Sequence, residues 1–173
     1  MNQMYHWWQL ISQNLNASGT WFATLFLRLI LAWEFYEAGI MKLNGENWFG
    51  NIQDNFPFPF NIISSDISWF MATWFEILGG LGLALGLFTR FWSLSLIVLS
   101  IVAIAGVHWP AEWSNLSQLW QGYAISDNGF GNFKLPLLFI VMLIPLLLQG
   151  AGKASIDYWL NHYLQKKLKQ DHS

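Results

Sequence analysis

Five ionisable side chains lie inside or at the ends of strongly apolar segments, where an unpaired charge is costly. They are Arg28, Glu34, Glu37, Lys42 and Glu76. Ionisable residues within membrane-spanning segments usually pair with one another or line pathways for protons, ions or ligands. This polar cluster is therefore the first candidate for chemistry, either as an ion pair that holds helices together or as the lining of a cavity.

The depth of each group in a membrane follows from the helical rise of about 1.5 Å per residue. If Met41 and Ile67 mark the outer surface, Glu34 lies about 10 Å deep, Glu76 about 14 Å and Arg28 about 20 Å. The depths of Arg28 and Glu76 then differ by only about 6 Å, within reach of a guanidinium side chain. We therefore predict a buried Arg28–Glu76 ion pair between the first two spans.

The other charges of the first span have simpler expected roles. Glu34 and Glu37 are three residues apart and are neighbours on a helix surface. Helical geometry turns Glu37 to the side opposite Arg28, so Glu37 is expected to meet water near the outer surface. Lys42 lies at the same end, where its long side chain is expected to extend toward the interface.

His108 is the candidate metal ligand, because imidazole binds copper and zinc. It ends an apolar segment, and Met41 supplies the one obvious thioether at a similar depth. The other histidines are His6, His162 and His172. They are expected on the opposite side of the membrane, so a hydrogen-bonded structural histidine is favoured over a copper site.

The remaining motifs predict packing and no catalysis. Gly79, Gly82 and Gly86 crowd one span, and the last two form a small-xxx-small pair that permits close helix contact. The chain has no cysteine, which excludes disulfides, thiolate nucleophiles and Cys-type metal sites. It also lacks a phosphate-binding glycine loop, a nucleophile elbow and a zinc-hydrolase helix. We find no catalytic motif.

The elements that must position these residues are membrane-spanning helices. Hydrophobic residues make up 54% of the chain and charged residues 10%, whereas soluble domains carry about 25% charged residues. Apolar segments of spanning length cover about residues 21–41, 67–88, 91–107 and 133–148. The predicted fold class is all-α, an integral membrane four-helix bundle that forms a single domain over residues 1–173.

Amphipathic helices are expected at both ends of this bundle. Residues 2–15 place apolar side chains at helical spacing, which is typical of a surface helix. After the fourth span the chain restarts as a helix, with Ser155 as its cap and Asp157 in its first turn. Between spans two and three, Thr89 is the predicted N-cap.

Orientation follows from the distribution of Lys and Arg. The termini and the short second connection carry Arg90, Lys153, Lys166, Lys167 and Lys169. The two long loops carry only Lys42 and Lys134 at their edges, so both termini are predicted to face the cytoplasm of a bacterial inner membrane.

Lipids and protein partners are expected, a homo-oligomer is compatible with the sequence, and the net charge of −2 predicts no nucleic-acid binding.

Three sets of short motifs, in this order, resemble the DoxX family. Residues 28–32 with Ala38-Gly39 and Lys42-Leu43 are similar to the family's first helix. Glu76 with residues 79–81 and 86–90 resembles its second helix, and residues 150–153 with Ser155 and Asp157 resemble its C-terminal signature. The resemblance covers about residues 21–158 and implies a membrane subunit linked to sulfur-compound or quinone oxidoreductases.

Two further stretches resemble a narrower branch, the Hvf type, which is associated with copper-binding, ribosomally made peptides. They are residues 47–52, which lead into a Phe-Pro repeat, and residues 105–110, which contain His108. This branch implies an accessory protein that helps to mature, export or handle such a peptide under metal stress.

Three functions therefore compete, with copper or a quinone as the implied cofactor. The first is the copper-peptide accessory role, supported by the aromatic outer loops and His108. The second is a redox subunit in which Arg28, Glu34 and Glu76 bind or protonate a quinone in an apolar pocket. The third, a small transporter, is disfavoured because four spans without an internal repeat are few for that task.

Overall fold

The computed structural model describes residues 2–110, 112–124 and 131–171, and within these ranges all regular secondary structure is helical. The helices are α1 (Asn2–Asn44), α2 (Ser65–Leu85), α3 (Thr89–Ala103), α4 (Leu116–Gln121), α5 (Lys134–Gln149) and α6 (Ile156–Asp171). A π-helical segment, Ile104–His108, continues α3. Two 3-10 turns, Phe49–Asn51 and Gln53–Asn55, lie in the loop after α1.

Three of the described helices are long and apolar enough to cross a membrane. They are α1, α2 and the 20-residue unit Thr89–His108, which is α3 with its π-helical extension. α5 occupies the predicted fourth span but has 16 residues, fewer than the roughly 20 that usually cross the hydrocarbon core. Three of the predicted spans therefore coincide with helices of spanning length, and the fourth span stays a prediction.

The N-terminal amphipathic segment is not a separate helix, contrary to the sequence prediction for residues 2–15. α1 runs without interruption for 43 residues, about 65 Å. The predicted separation between residues 15 and 21 does not form, although Gly19 lies there, because one glycine inside a helix costs only about 1 kcal/mol. The Thr20 hydroxyl also stays within the helix, where it donates to the Ala17 carbonyl at 2.7 Å.

Four helices pack side by side around one apolar core. α1 contacts α2 and α5, and α3 contacts the same two helices. The buried core side chains are Leu31, Ala32, Phe35, Leu83, Leu96, Leu143 and Leu146. Large apolar side chains such as Phe26, Leu81 and Val141 remain exposed on the outer helix faces, as expected for contact with lipid.

Glycines set how the helices lie against one another. An ideal Cβ on Gly80 would lie 2.9 Å from the Ala32 carbonyl oxygen, and one on Gly39 would lie 2.7 Å from Ile77 Cγ1. Both distances are shorter than real Cβ contacts, so larger residues there would push α1 and α2 apart. These two close approaches fix the register of α1 against α2.

The predicted packing glycines of α2 divide into two roles. Gly79 and Gly82 face α3, where an added Cβ would meet Leu96 and the Trp92 ring, respectively. Gly86 lies beyond the helix, ends it with φ +64° and leaves no room for a Cβ beside Arg28. The prediction that Gly86 is a helix-packing residue is therefore wrong, because a left-handed turn and a buried guanidinium require glycine there.

Candidate functional site

The predicted polar cluster is divided between the two ends of the bundle. Glu76 does not pair with Arg28; its oxygens accept from Lys42 Nζ at 2.8 and 2.9 Å. The prediction failed because it set Met41 level with Ile67, whereas Gly39 packs against Ile77. This register moves Arg28 about 18 Å away from Glu76 along the helix axis.

The two remaining carboxylates of the cluster do not join either end. Glu34 is half-buried and Glu37 is exposed, the latter as predicted. Within the described residues, neither forms a hydrogen bond or an ion pair. The cluster therefore reduces to Lys42–Glu76 at one end and Arg28 at the other.

Lys42 and Glu76 line a cavity of about 400 Å³, which we call the aromatic pocket. It lies between α2, α3 and the loop after α1. Its polar lining is Lys42, Ser68, Glu76, Ser95 and His108, and the other lining side chains are apolar or aromatic. An apolar cavity of this size with a few convergent polar groups is the usual form of a small-molecule site.

The loop after α1 closes the aromatic pocket with packed rings. Phe49 and Phe56 are buried, with their ring centroids 5.1 Å apart in an edge-to-face arrangement. Trp69 packs edge-on against Phe49 at 5.0 Å, which ties the loop to α2. Phe56 lies against Gly106, where a Cβ would overlap the ring. The aromatic residues of the loop were evident in the sequence, but no local pattern indicated which rings line the pocket.

The π-helical segment at the end of α3 brings His108 to this pocket. Such segments are rare and often occur at functional sites. The His108 carbonyl accepts from Asn132 N at 3.0 Å, which connects the segment to the chain just before α5. The imidazole is half-buried and has no hydrogen-bond partner among the described residues. His108 therefore shares one cavity with the Lys42–Glu76 pair.

Met41, the one thioether candidate for a copper site at His108, does not lie at the pocket. Met41 is 65% exposed and does not line the pocket, whereas Met71 does. The described residues contain no group of three or more His, Asp or Glu side chains placed to hold a metal ion. His172 lies outside the described residues.

At the opposite end of the bundle, Arg28 is fully buried and bound by backbone carbonyls. It donates from Nη1 to Leu83 O at 3.1 Å and from Nη2 to Ala154 O. The guanidinium thus holds the end of α2 and the segment before α6 together. We call this region the arginine end.

Asp157 completes the arginine end and replaces the predicted cap of α3. Its carboxylate accepts from Phe88 N at 2.8 Å and from Thr89 N at 2.9 Å, so Thr89 is the first residue of α3 and not its N-cap. The predicted cap of α6 is confirmed, because Ser155 Oγ accepts from Tyr158 N at 3.2 Å. The C-terminal segment is thereby clamped over the α2–α3 connection.

Comparisons with known proteins agree with the motif resemblance. The family model described as DoxX matches residues 23–109. A Haemophilus influenzae protein described as uncharacterized is 45% identical over 139 residues, which are 80% of this chain and 83% of that protein. No solved structure matches the chain. The family match contains Arg28, Lys42, Glu76 and His108 and ends before Asp157.

Proposed function

The chain belongs to the DoxX family of membrane proteins, and from that premise we propose that it is a quinone-linked subunit of a membrane oxidoreductase. The aromatic pocket binds the quinone headgroup. The observation that carries this proposal is the placement of the Lys42–Glu76 pair and His108 in one apolar cavity of about 400 Å³. This site replaces the predicted one between Arg28, Glu34 and Glu76.

The lining of the pocket suits the chemistry of a quinone. The carbonyl oxygens of a quinone accept hydrogen bonds, which the Lys42 ammonium group and a His108 N–H supply. Reduction to the quinol adds two electrons and two protons, and quinol oxidation returns the protons to bases such as the Glu76 carboxylate and the imidazole. Aromatic walls such as Phe49 and Phe75 fit a flat ring.

The electrons must come from a partner protein. The chain has no cysteine to ligate an iron–sulfur cluster and contains no catalytic motif. Its role in the complex is then to bind the quinone and hold the proton-exchanging groups near it. The partner is an oxidoreductase subunit that acts on a reduced substrate, such as a sulfur compound.

The proposal includes a location and a topology. α5 packs on α1 and α3, which supports a single four-helix membrane domain with α5 as its short fourth span. The bias of Lys and Arg toward the arginine end supports a topology in which that end and both termini face the cytoplasm of a bacterial inner membrane. The aromatic pocket then lies near the outer face.

Quinone binding is tested by filling the pocket. Ala72 lines it, so Ala72→Phe is expected to weaken binding of short-chain ubiquinone and menaquinone analogues by about tenfold or more. Calorimetric titration of the detergent-purified protein measures the affinity. Leu81→Phe is the matched control, because Leu81 is on the same helix and 46% exposed outside the pocket. Equal quinone affinity in both variants, or none in the wild-type protein, would contradict the proposal.

A second candidate is the handling of a copper-binding peptide. It is favoured by His108, whose imidazole has no partner among the described residues, and by Met71 in the same pocket. Under this proposal, His108→Ala raises the copper sensitivity of the native cells without changing the protein level. Unchanged copper tolerance would contradict it, and co-purification of a small cysteine-rich peptide in high copper would support it.

A further inference from the structure

A second, more open cavity lies at the arginine end, about 27 Å along α1 from the aromatic pocket. It has a volume of about 600 Å³ and is bounded by α1, the α2–α3 connection and the glycine-rich segment before α6. We call it the glycine-loop cavity. We propose that it binds a phosphate group, as carried by the headgroup of an anionic phospholipid.

Two cations of the cavity wall are available to an anion. Arg90 and Lys153 line the cavity, and within the described part of the chain neither forms an ion pair. Arg90 Nη2 donates to Leu148 O at 3.3 Å, which leaves most of the five guanidinium donors unused. The Lys153 backbone N–H donates to Thr20 O at 3.1 Å, which fixes this residue at the wall, and its ammonium group has no partner among the residues that the structure describes.

The one acid in the cavity wall does not neutralise these cations. Asp157 accepts two backbone N–H groups at the start of α3 and faces the buried Arg28 guanidinium. Its charge is therefore already balanced within the fold. The cavity keeps an excess of positive charge for a ligand, and charge-assisted hydrogen bonds to phosphate are among the strongest available.

A buried hydroxyl independently indicates a polar ligand. Thr89 lines the cavity and is fully buried, yet its Oγ1 has no hydrogen-bond partner among the described residues. Buried polar atoms normally have a partner, and of the four unpartnered side-chain atoms among the described residues, Thr89 Oγ1 is the one that belongs to a residue of this cavity wall. The hydroxyls of Thr20 and Thr24 are already used, since they donate to Ala17 O and Ala151 O.

The apolar rim favours a lipid as the source of the phosphate. Phe88 and Phe91 line the same cavity and are 66% and 55% exposed. They join the cavity to the apolar outer faces of the helices, where acyl chains lie. A volume of about 600 Å³ also exceeds what a free phosphate ion needs and suits a larger headgroup.

The test uses the purified full-length protein, with native mass spectrometry to count bound lipids. The wild-type protein is expected to retain phosphatidylglycerol more tightly than phosphatidylethanolamine, and Arg90→Gln/Lys153→Gln is expected to weaken phosphatidylglycerol binding by about tenfold or more. Lys166→Gln/Lys167→Gln is the matched control, because it removes two lysines from α6 outside the cavity. Equal loss in both double variants would overturn the proposal, since it would indicate a diffuse basic surface.

Two further measurements distinguish a lipid from a free phosphate ion as the ligand, and separate a loss of binding from a loss of folding. Inorganic phosphate is titrated into the same variants. If it displaces the lipid and its binding is weakened by the same substitutions, the result would support a phosphate site but overturn the proposal that a lipid supplies the phosphate. Thr89→Val removes only the unpartnered hydroxyl, so the thermal midpoint should not fall while phosphatidylglycerol affinity drops several-fold. Wild-type lipid affinity in Thr89→Val would contradict the site.

Discussion

The two ends of the bundle use buried charge in opposite ways. At the arginine end, backbone carbonyls bind the buried Arg28 guanidinium, and among the described residues Arg28, Arg90 and Lys153 all lack an ion pair. At the aromatic pocket, Lys42 and Glu76 form an ion pair with each other, and both also line the cavity. A buried charge therefore does not mark a candidate binding site by itself. The partner of the charge and the presence of a cavity beside it distinguish the two cases.

The largest expected effect is the loss of the Arg28 clamp. Arg28→Leu leaves the Leu83 and Ala154 carbonyls without their donor and Asp157 without its balancing cation, and should destabilise the fold by about 3 kcal/mol or more. Thermal unfolding in detergent measures this. Arg90→Leu is the control, since Arg90 is exposed and should cost under about 1 kcal/mol. A similar loss of stability in both variants would contradict the distinction between Arg28, which holds the fold together, and Arg90, which is free to bind an anion.

A smaller effect is expected from breaking the pair in the aromatic pocket. Glu76→Leu leaves Lys42 unpaired, but the side chain of Lys42 is 20% exposed and can reach water, so the loss should be about 2 kcal/mol. Lys42→Met/Glu76→Leu should recover much of that stability without recovering quinone binding. Unfolding and quinone titration of both variants test this, and Glu37→Gln, at an exposed carboxylate, should leave both properties unchanged. Restored quinone affinity in the double variant would show that the pair is purely structural.

The smallest effect is expected at the cap of α3. Asp157→Asn keeps an acceptor for only one of Phe88 N and Thr89 N and turns an NH2 donor toward the other, which should cost about 1 kcal/mol. Hydrogen exchange should show faster exchange at these two amides. Asp66→Asn is the control, because the Asp66 carboxylate binds the Asn47 side chain far from this end. Unchanged exchange in Asp157→Asn would show that the arginine end does not depend on this cap.

Local sequence features predicted three helices of spanning length and the family, but they did not predict the contacts between distant segments. Apolar length placed the helices, and a serine at a helix start placed the Ser155 cap, since both depend on neighbours in the chain. Asp157 was assigned to its own helix, although its carboxylate caps α3 from 68 residues away. Nothing in local spacing encodes that contact.

The sequence contained a signal for the register of α1 against α2, but the depth estimate did not use it. Assuming level span ends placed Arg28 opposite Glu76, but the close contact of the helices is set by Gly39 and Gly80. Aligning the small residues of the two helices, where backbones approach most closely, would have brought Lys42 to Glu76. The predicted cluster thus contained the correct carboxylate with the wrong cation.

The unbroken α1 helix gives the molecule a mechanical property. Thr24 lies at the glycine-loop cavity, Arg28 lies at the arginine end and Lys42 lies at the aromatic pocket, and all three belong to α1. This helix extends well beyond the packed helices at its N-terminal end. A tilt of about 3° moves the far end of a ~65 Å helix by about 3 Å. Because Thr24 lines one cavity and Lys42 lines the other, a tilt of α1 displaces a wall residue of both cavities at once.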